Sequence, residues 1–146
     1  MVGYRLGMDA YADFIAEASA RRFRAPGEGG VTAEQIVAHV ARTHEELIAV
    51  TESVLGGDDV TYDNREPTPR ELQRYIAAYG GLAGLADRVA MTVTVLRDLA
   101  YRLDERGAVR VPAAEGDPTP WAKVLELDET VQVPRWLGQL RALRTG

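Results

Sequence analysis

The stretch VTAEQIVAHVARTHEELIAVTESVL, residues 31–55, carries the start and stop signals of a long helix and holds both histidines of the chain. Thr32 has the position of an N-cap, and Gln35 three residues later can complete a capping box. Gly56 and Gly57 follow the stretch, and glycine readily adopts the left-handed conformation that ends helices. The sequence therefore predicts one helix with defined ends, against which the other helices pack.

An apolar stripe runs along this helix when residues are placed at about 100° each. It consists of Ile36, Val37, Val40, Leu47, Ile48, Val54 and Leu55. His44 falls within the stripe, and His39 lies on its flank beside Thr43. The histidines are five positions apart, so they diverge and do not form the i, i+4 pair that binds a metal on one helix. We expect His44 to be a neutral core histidine with one hydrogen bond.

The composition indicates a single domain, residues 1–146, without nucleic-acid or membrane partners. A net charge of −5 gives no electrostatic footprint for nucleic acid. The absence of cysteine excludes disulfides, thiolate metal sites and cysteine nucleophiles. No apolar run reaches the length of a signal peptide or of a membrane span. We expect a cytoplasmic protein.

Further helical segments flank residues 31–55. Residues 8–24 have the spacing of an amphipathic helix that the glycines and proline of residues 25–30 end. Residues 56–67 are polar and too long for a tight turn, which predicts a crossover connection. Thr68 and Pro69 then mark the start of another helix.

Two apolar heptad series follow this start. One series is Leu72, Tyr79, Ala86, Val93 and Ala100, and the other is Tyr75, Leu82, Val89, Leu96 and Leu103. A single helix of this length would outrun the central helix, so we predict a bend at Gly80 and Gly81 between a short arm, 69–79, and a helix, 82–106. The alternatives are a long coiled coil and a structural homodimer that pairs through the heptad face.

Residues 107–118 read as a loop, and a last helix is predicted over residues 121–144. Pro134 predicts a kink or a fresh helix start, because proline cannot donate the backbone hydrogen bond. The predicted inward face carries Trp121, Leu125, Asp128, Gln132, Trp136, Gln139 and Leu143. Buried polar groups cost free energy unless paired, so the three polar residues of this face are expected to line a pocket or to contact one another. Together the segments predict an all-α four-helix bundle with a long crossover connection.

Two motifs give this chain a family resemblance. VTAEQIVAHVART resembles the second-helix motif of the DinB-like superfamily, in particular of the mycothiol-dependent maleylpyruvate isomerase N-terminal domains. In that family a histidine at the position of His39 binds a divalent metal. VQVPRWLGQLRALR resembles the family's last helix, in which a ligand, three residues and a histidine precede a Gln-Leu pair. The matching positions here are Gln132 and Trp136, followed by Gln139 and Leu140.

The departures from the family pattern shape the functional hypotheses. Indole cannot ligate a metal, and an amide oxygen is a poor ligand for zinc or nickel. The leading hypothesis is a degenerate metal site that binds a small apolar or thiol-bearing molecule without a metal. The ligand-binding candidates are His39, Thr43, Asp128, Gln132 and Trp136, with His39 expected to bond to Gln132 or Asp128.

Two alternatives remain. The first is an enzyme that uses a divalent metal, held by His39, Asp128 and Gln132, together with a mycothiol-type thiol for transfer or isomerisation. The second is the structural homodimer. The sequence names neither a catalytic residue nor a substrate.

Overall fold

The computed structural model describes residues 9–20 and 22–145, so the predicted helix start at residue 8 lies outside the described residues. Helix α1 spans Asp9–Ser19 and buries Tyr11, Phe14 and Ala18. It ends earlier than the predicted residue 24 because the chain turns to meet the C-terminal segment. Phe23 forms an antiparallel bridge with Arg144, and the Arg24 N–H donates to the Leu143 carbonyl at 2.8 Å.

Helix α2, Ala33–Gly56, confirms the predicted central helix and both of its end signals. The Thr32 hydroxyl accepts from the Gln35 N–H at 3.1 Å, and the Thr32 N–H donates to Gln35 Oε1 at 2.9 Å. Gly57 caps the far end with a φ of 76°. Local signals alone therefore fix the ends of this helix.

Helix α3, Pro69–Ala78, and helix α4, Leu82–Leu103, are separated by the predicted bend. Gly80 and Gly81 have φ values of 76° and 93°, which side chains with a Cβ rarely adopt. The alternative of one long coiled coil is therefore wrong. A 3₁₀ turn, Asp104–Ala108, continues α4 where residues up to 106 were predicted to be α-helical.

The heptad positions of α4 point into the bundle. Those buried are Ala86, Val89, Val93, Leu96, Ala100 and Leu103. They pack mainly against α2. The face that the homodimer hypothesis assigns to a second copy is thus occupied by the chain's own core.

The last helix consists of α5, Trp121–Leu127, a π-helical turn, Asp128–Gln132, and α6, Val133–Leu143. The wide turn places Pro134 in the first turn of α6, where its missing N–H is tolerated. It also shifts the phase of the helix, because a π turn holds an extra residue. Gln132 and Gln139, predicted to face inward, are consequently exposed.

After the turn, the buried residues of α6 are Val133, Trp136, Leu137 and Leu140. Helices α1, α2, α4 and the α5–α6 helix form a four-helix bundle, in which α1 and α2 each pack against α4 and α6. Within residues 9–20 and 22–145, no helix combines the length and apolarity needed to cross a bilayer.

The long connections lie together on one side of the bundle. Strand β1, Arg110–Val111, pairs antiparallel with β2, Thr119–Pro120. The crossover connection between α2 and α3 joins them through the Tyr62 N–H, which donates to the Pro112 carbonyl at 2.8 Å. Asn64 fixes the two connections further, since its side chain bonds to both the N–H and the carbonyl of Glu115. These loops form the outer wall of a cavity.

Candidate functional site

A cavity of about 390 Å³ lies between α2, the last helix and the paired loops. All five predicted ligand-binding residues line it: His39, Thr43, Asp128, Gln132 and Trp136. Helix α2 supplies the first two, and the π turn and α6 supply the others. The structure therefore brings these side chains together, while their role in ligand binding stays a prediction.

His39 lies half-buried in the cavity wall, with 16% of its side chain exposed. Its Nδ1 is 3.5 Å from Thr43 Oγ1, and its Nε2 is 3.5 Å from Glu66 Oε1. Burial lowers the pKa of His39, an effect that outweighs the opposing negative charge of Glu66. The ring is therefore neutral at neutral pH. The hydrogen bond expected from His39 to Gln132 or Asp128 is not found, because Thr43 and Glu66 are its neighbours instead.

Trp136 forms an aromatic wall beside His39. The two ring centroids are 4.5 Å apart with the planes tilted by 40°. The Arg135 guanidinium lies 5.3 Å from the centre of the Trp136 ring. The indole is 9% exposed and packs on the histidine that the resemblance assigns to metal binding.

Asp128 takes part in a buried polar contact that the sequence did not predict. The Tyr11 hydroxyl donates to Asp128 Oδ2 at 2.9 Å, and His44 Nε2 lies 2.8 Å from the same oxygen. His44 is fully buried, and Asp128 is 5% exposed. The carboxylate thus faces His44 rather than His39, and it joins α1, α2 and the π turn.

The loop wall carries charged side chains. Asp63 accepts hydrogen bonds from the side chain and from the backbone N–H of Arg65. These bonds, of which the side-chain bond has the larger effect, lower the pKa of Asp63 to about 2. Arg42 lies 3.7 Å from Asp63 and 3.8 Å from Glu71. Burial, followed by the negative charge of Asp128, raises the pKa of Tyr62. Sequence reasoning missed this wall, because nothing local shows which loop will fold over the helices.

The donor set does not fit the divalent metal that the family resemblance implies. His39 supplies one imidazole, whereas Asp128 Oδ2 is held by two donors, and Trp136 has no lone pair to offer. Among the described residues, no cluster of three or more histidine, cysteine, aspartate or glutamate side chains is placed to hold a metal ion.

The bundle, with its long crossover connection, has the DinB-like fold. Comparison with solved structures finds the crystal structure of the mycothiol-dependent maleylpyruvate isomerase, with a TM-score of 0.68 and 20% sequence identity. The match covers 90% of this chain and 56% of the isomerase chain. The chain therefore spans little more than half of that protein, and the likeness establishes the fold. No protein-family model and no curated protein matches the sequence.

Proposed function

We propose that this chain binds a small organic molecule, in particular a thiol-bearing one, between α2 and the last helix, and that it does so without a divalent metal. One observation carries the proposal. A cavity of about 390 Å³ is retained, while the Trp136 ring packs 4.5 Å from His39 where the family would place a metal ligand. This volume lies within the roughly 300–1,000 Å³ of small-molecule pockets.

The lining supports a ligand with both apolar and polar parts. Val40, Leu47 and Trp136 offer apolar surface, and Thr43 and Gln132 offer hydrogen-bonding groups. Similarity to a mycothiol-dependent isomerase supports a thiol as one of the polar parts. His39, whose pKa is lowered by burial, adds an uncharged aromatic surface to the same lining.

Tryptophan fluorescence provides a direct test. The chain has two tryptophans, and Trp121 is fully buried outside the cavity lining. Titration with mycothiol is expected to give a saturable signal that remains in Trp121→Phe and disappears in Trp136→Phe. Calorimetry on the unaltered chain gives the same affinity without relying on either variant. No saturation by either method would contradict the proposal.

A chelator separates the proposal from the metal-dependent alternative. If binding needs no metal, the affinity for the thiol is expected to be unchanged when EDTA is added first. The alternative, an enzyme that uses His39 and Asp128 as ligands, requires that EDTA abolish binding and that zinc or nickel restore it. Gln139→Ala is the control for Trp136→Phe. Gln139 lies on the same helix, α6, but is exposed and does not line the cavity, so this variant should bind the thiol as the unaltered chain does.

A further inference from the structure

The cavity lining carries more negative than positive side chains. Its five carboxylates are Asp63, Glu66, Glu115, Asp117 and Asp128. Its guanidinium groups are three: Arg42, Arg65 and Arg135. An acidic cavity attracts cationic ligands and repels anionic ones.

The arginines of the lining are already engaged. Arg65 bonds to Asp63 at 2.9 Å, and Arg42 lies within ion-pair distance of Asp63 and Glu71. Arg135 is exposed and stacks on Trp136. Arg42 and Arg65 neutralise Asp63. Among the carboxylates of the lining, the buried one is Asp128.

Asp128 lines the cavity. The hydrogen bonds from Tyr11 and His44 both end on Oδ2. Oδ1 has no hydrogen bond and is not among the buried unpaired atoms of the described residues, so it is open to a bound molecule. His44 Nδ1 is buried and has no hydrogen-bond partner in the described part of the chain. A buried N–H without an acceptor is costly, so Nε2 is the nitrogen that donates to Asp128 Oδ2.

From this geometry we infer that, among small molecules of the proposed class, the cavity prefers those that carry a protonated primary amine, which donates to Asp128 Oδ1. Its apolar part packs against the Trp136 ring in the same lining. Tyr11 and His44 are positioning residues, since they hold Oδ2 and so orient Oδ1. The inference rests on the proposed function, because it names the charge of the ligand that the same cavity takes.

Three probes that share a phenyl ring test the charge: phenethylamine, phenethyl alcohol and phenylacetate. Calorimetry on the unaltered chain is expected to show the amine binding about tenfold tighter than the alcohol, as one charge-assisted hydrogen bond provides. Phenylacetate is expected to bind weakest. In Asp128→Asn the amine is expected to lose about tenfold in affinity, while the alcohol is unaffected.

Asp98→Asn is the matched control, because it removes the same charge from the exposed surface of α4, outside the cavity. It is expected to leave all three affinities unchanged. If Asp128→Asn does not fold, the order of the three probe affinities on the unaltered chain still tests the inference. Phenylacetate binding as tightly as phenethylamine overturns the inference, and the proposed function then stands if mycothiol saturates. If neither the three probes nor mycothiol bind, the inference and the proposed function are both overturned.

Discussion

Replacing His44 by phenylalanine tests how far the buried contact between His44 and Asp128 stabilises the bundle. His44 is fully buried, and its Nε2 lies 2.8 Å from Asp128 Oδ2. Phenylalanine keeps a planar ring at this position but is larger than imidazole, so repacking adds to the cost of the lost hydrogen bond. A hydrogen bond to a charged group contributes about 1.5–3 kcal/mol, and its loss leaves the carboxylate with fewer donors. We expect His44→Phe to lower the free energy of unfolding by about 2–3 kcal/mol.

Urea unfolding measures this loss, provided that the slope of the transition is unchanged. For a domain of this size the same loss lowers the melting temperature by roughly 4–12 °C. His39→Phe is the matched control, because His39 lies on the same helix and its nearest polar contacts are at 3.5 Å. We expect it to cost less than about 1 kcal/mol. Equal losses in the two variants would refute the role assigned to the buried contact.

Two further predictions concern His39 and the glycines. Because burial lowers the pKa of His39, its contribution to stability is complete above the unfolded value of about 6.5 and is lost as pH falls through the lower folded value. The unaltered chain should therefore lose more stability than His39→Gln between about pH 7.5 and about pH 5 by urea unfolding, and an equal loss would contradict this. Gly81→Ala should destabilise by about 1–3 kcal/mol, since Gly81 has a φ of 93°. The control Gly138→Ala lies in α6 with open space around the added Cβ, and it should stabilise by about 0.5–1 kcal/mol in the same assay; an unchanged Gly81→Ala would contradict the strained bend.

Local signals predicted the helices whose ends depend on neighbouring residues. The capping box at Thr32 and Gln35 and the left-handed Gly57 fixed α2, and the paired glycines fixed the bend before α4. Each of these features involves residues within four positions of one another, so it can be read along the chain.

The phase of the last helix could not be predicted in the same way. Constant helical spacing placed Gln139 inward, but the π turn before Pro134 rotates α6 and buries Leu140 instead. Pro134 indicated an irregularity without indicating its form. A proline kink and a widened turn both accommodate the missing N–H, and tertiary packing decides between them.

The candidate site was predicted in part. The family resemblance named His39 and Trp136, which do lie together, at 4.5 Å between ring centroids. The partner of Asp128 was missed because His44 is 84 positions away in the sequence and Tyr11 is 117 positions away. Contacts of this kind depend on which helices meet in the bundle, and periodicity does not reveal that.

Metal analysis tests the central claim most directly. The chain is purified without chelator, and zinc and nickel are measured by elemental analysis in the unaltered protein and in His39→Ala. A cavity that binds its ligand without a metal predicts far less than one ion per chain in both proteins. A transition metal bound at one ion per chain and lost in His39→Ala would contradict the account.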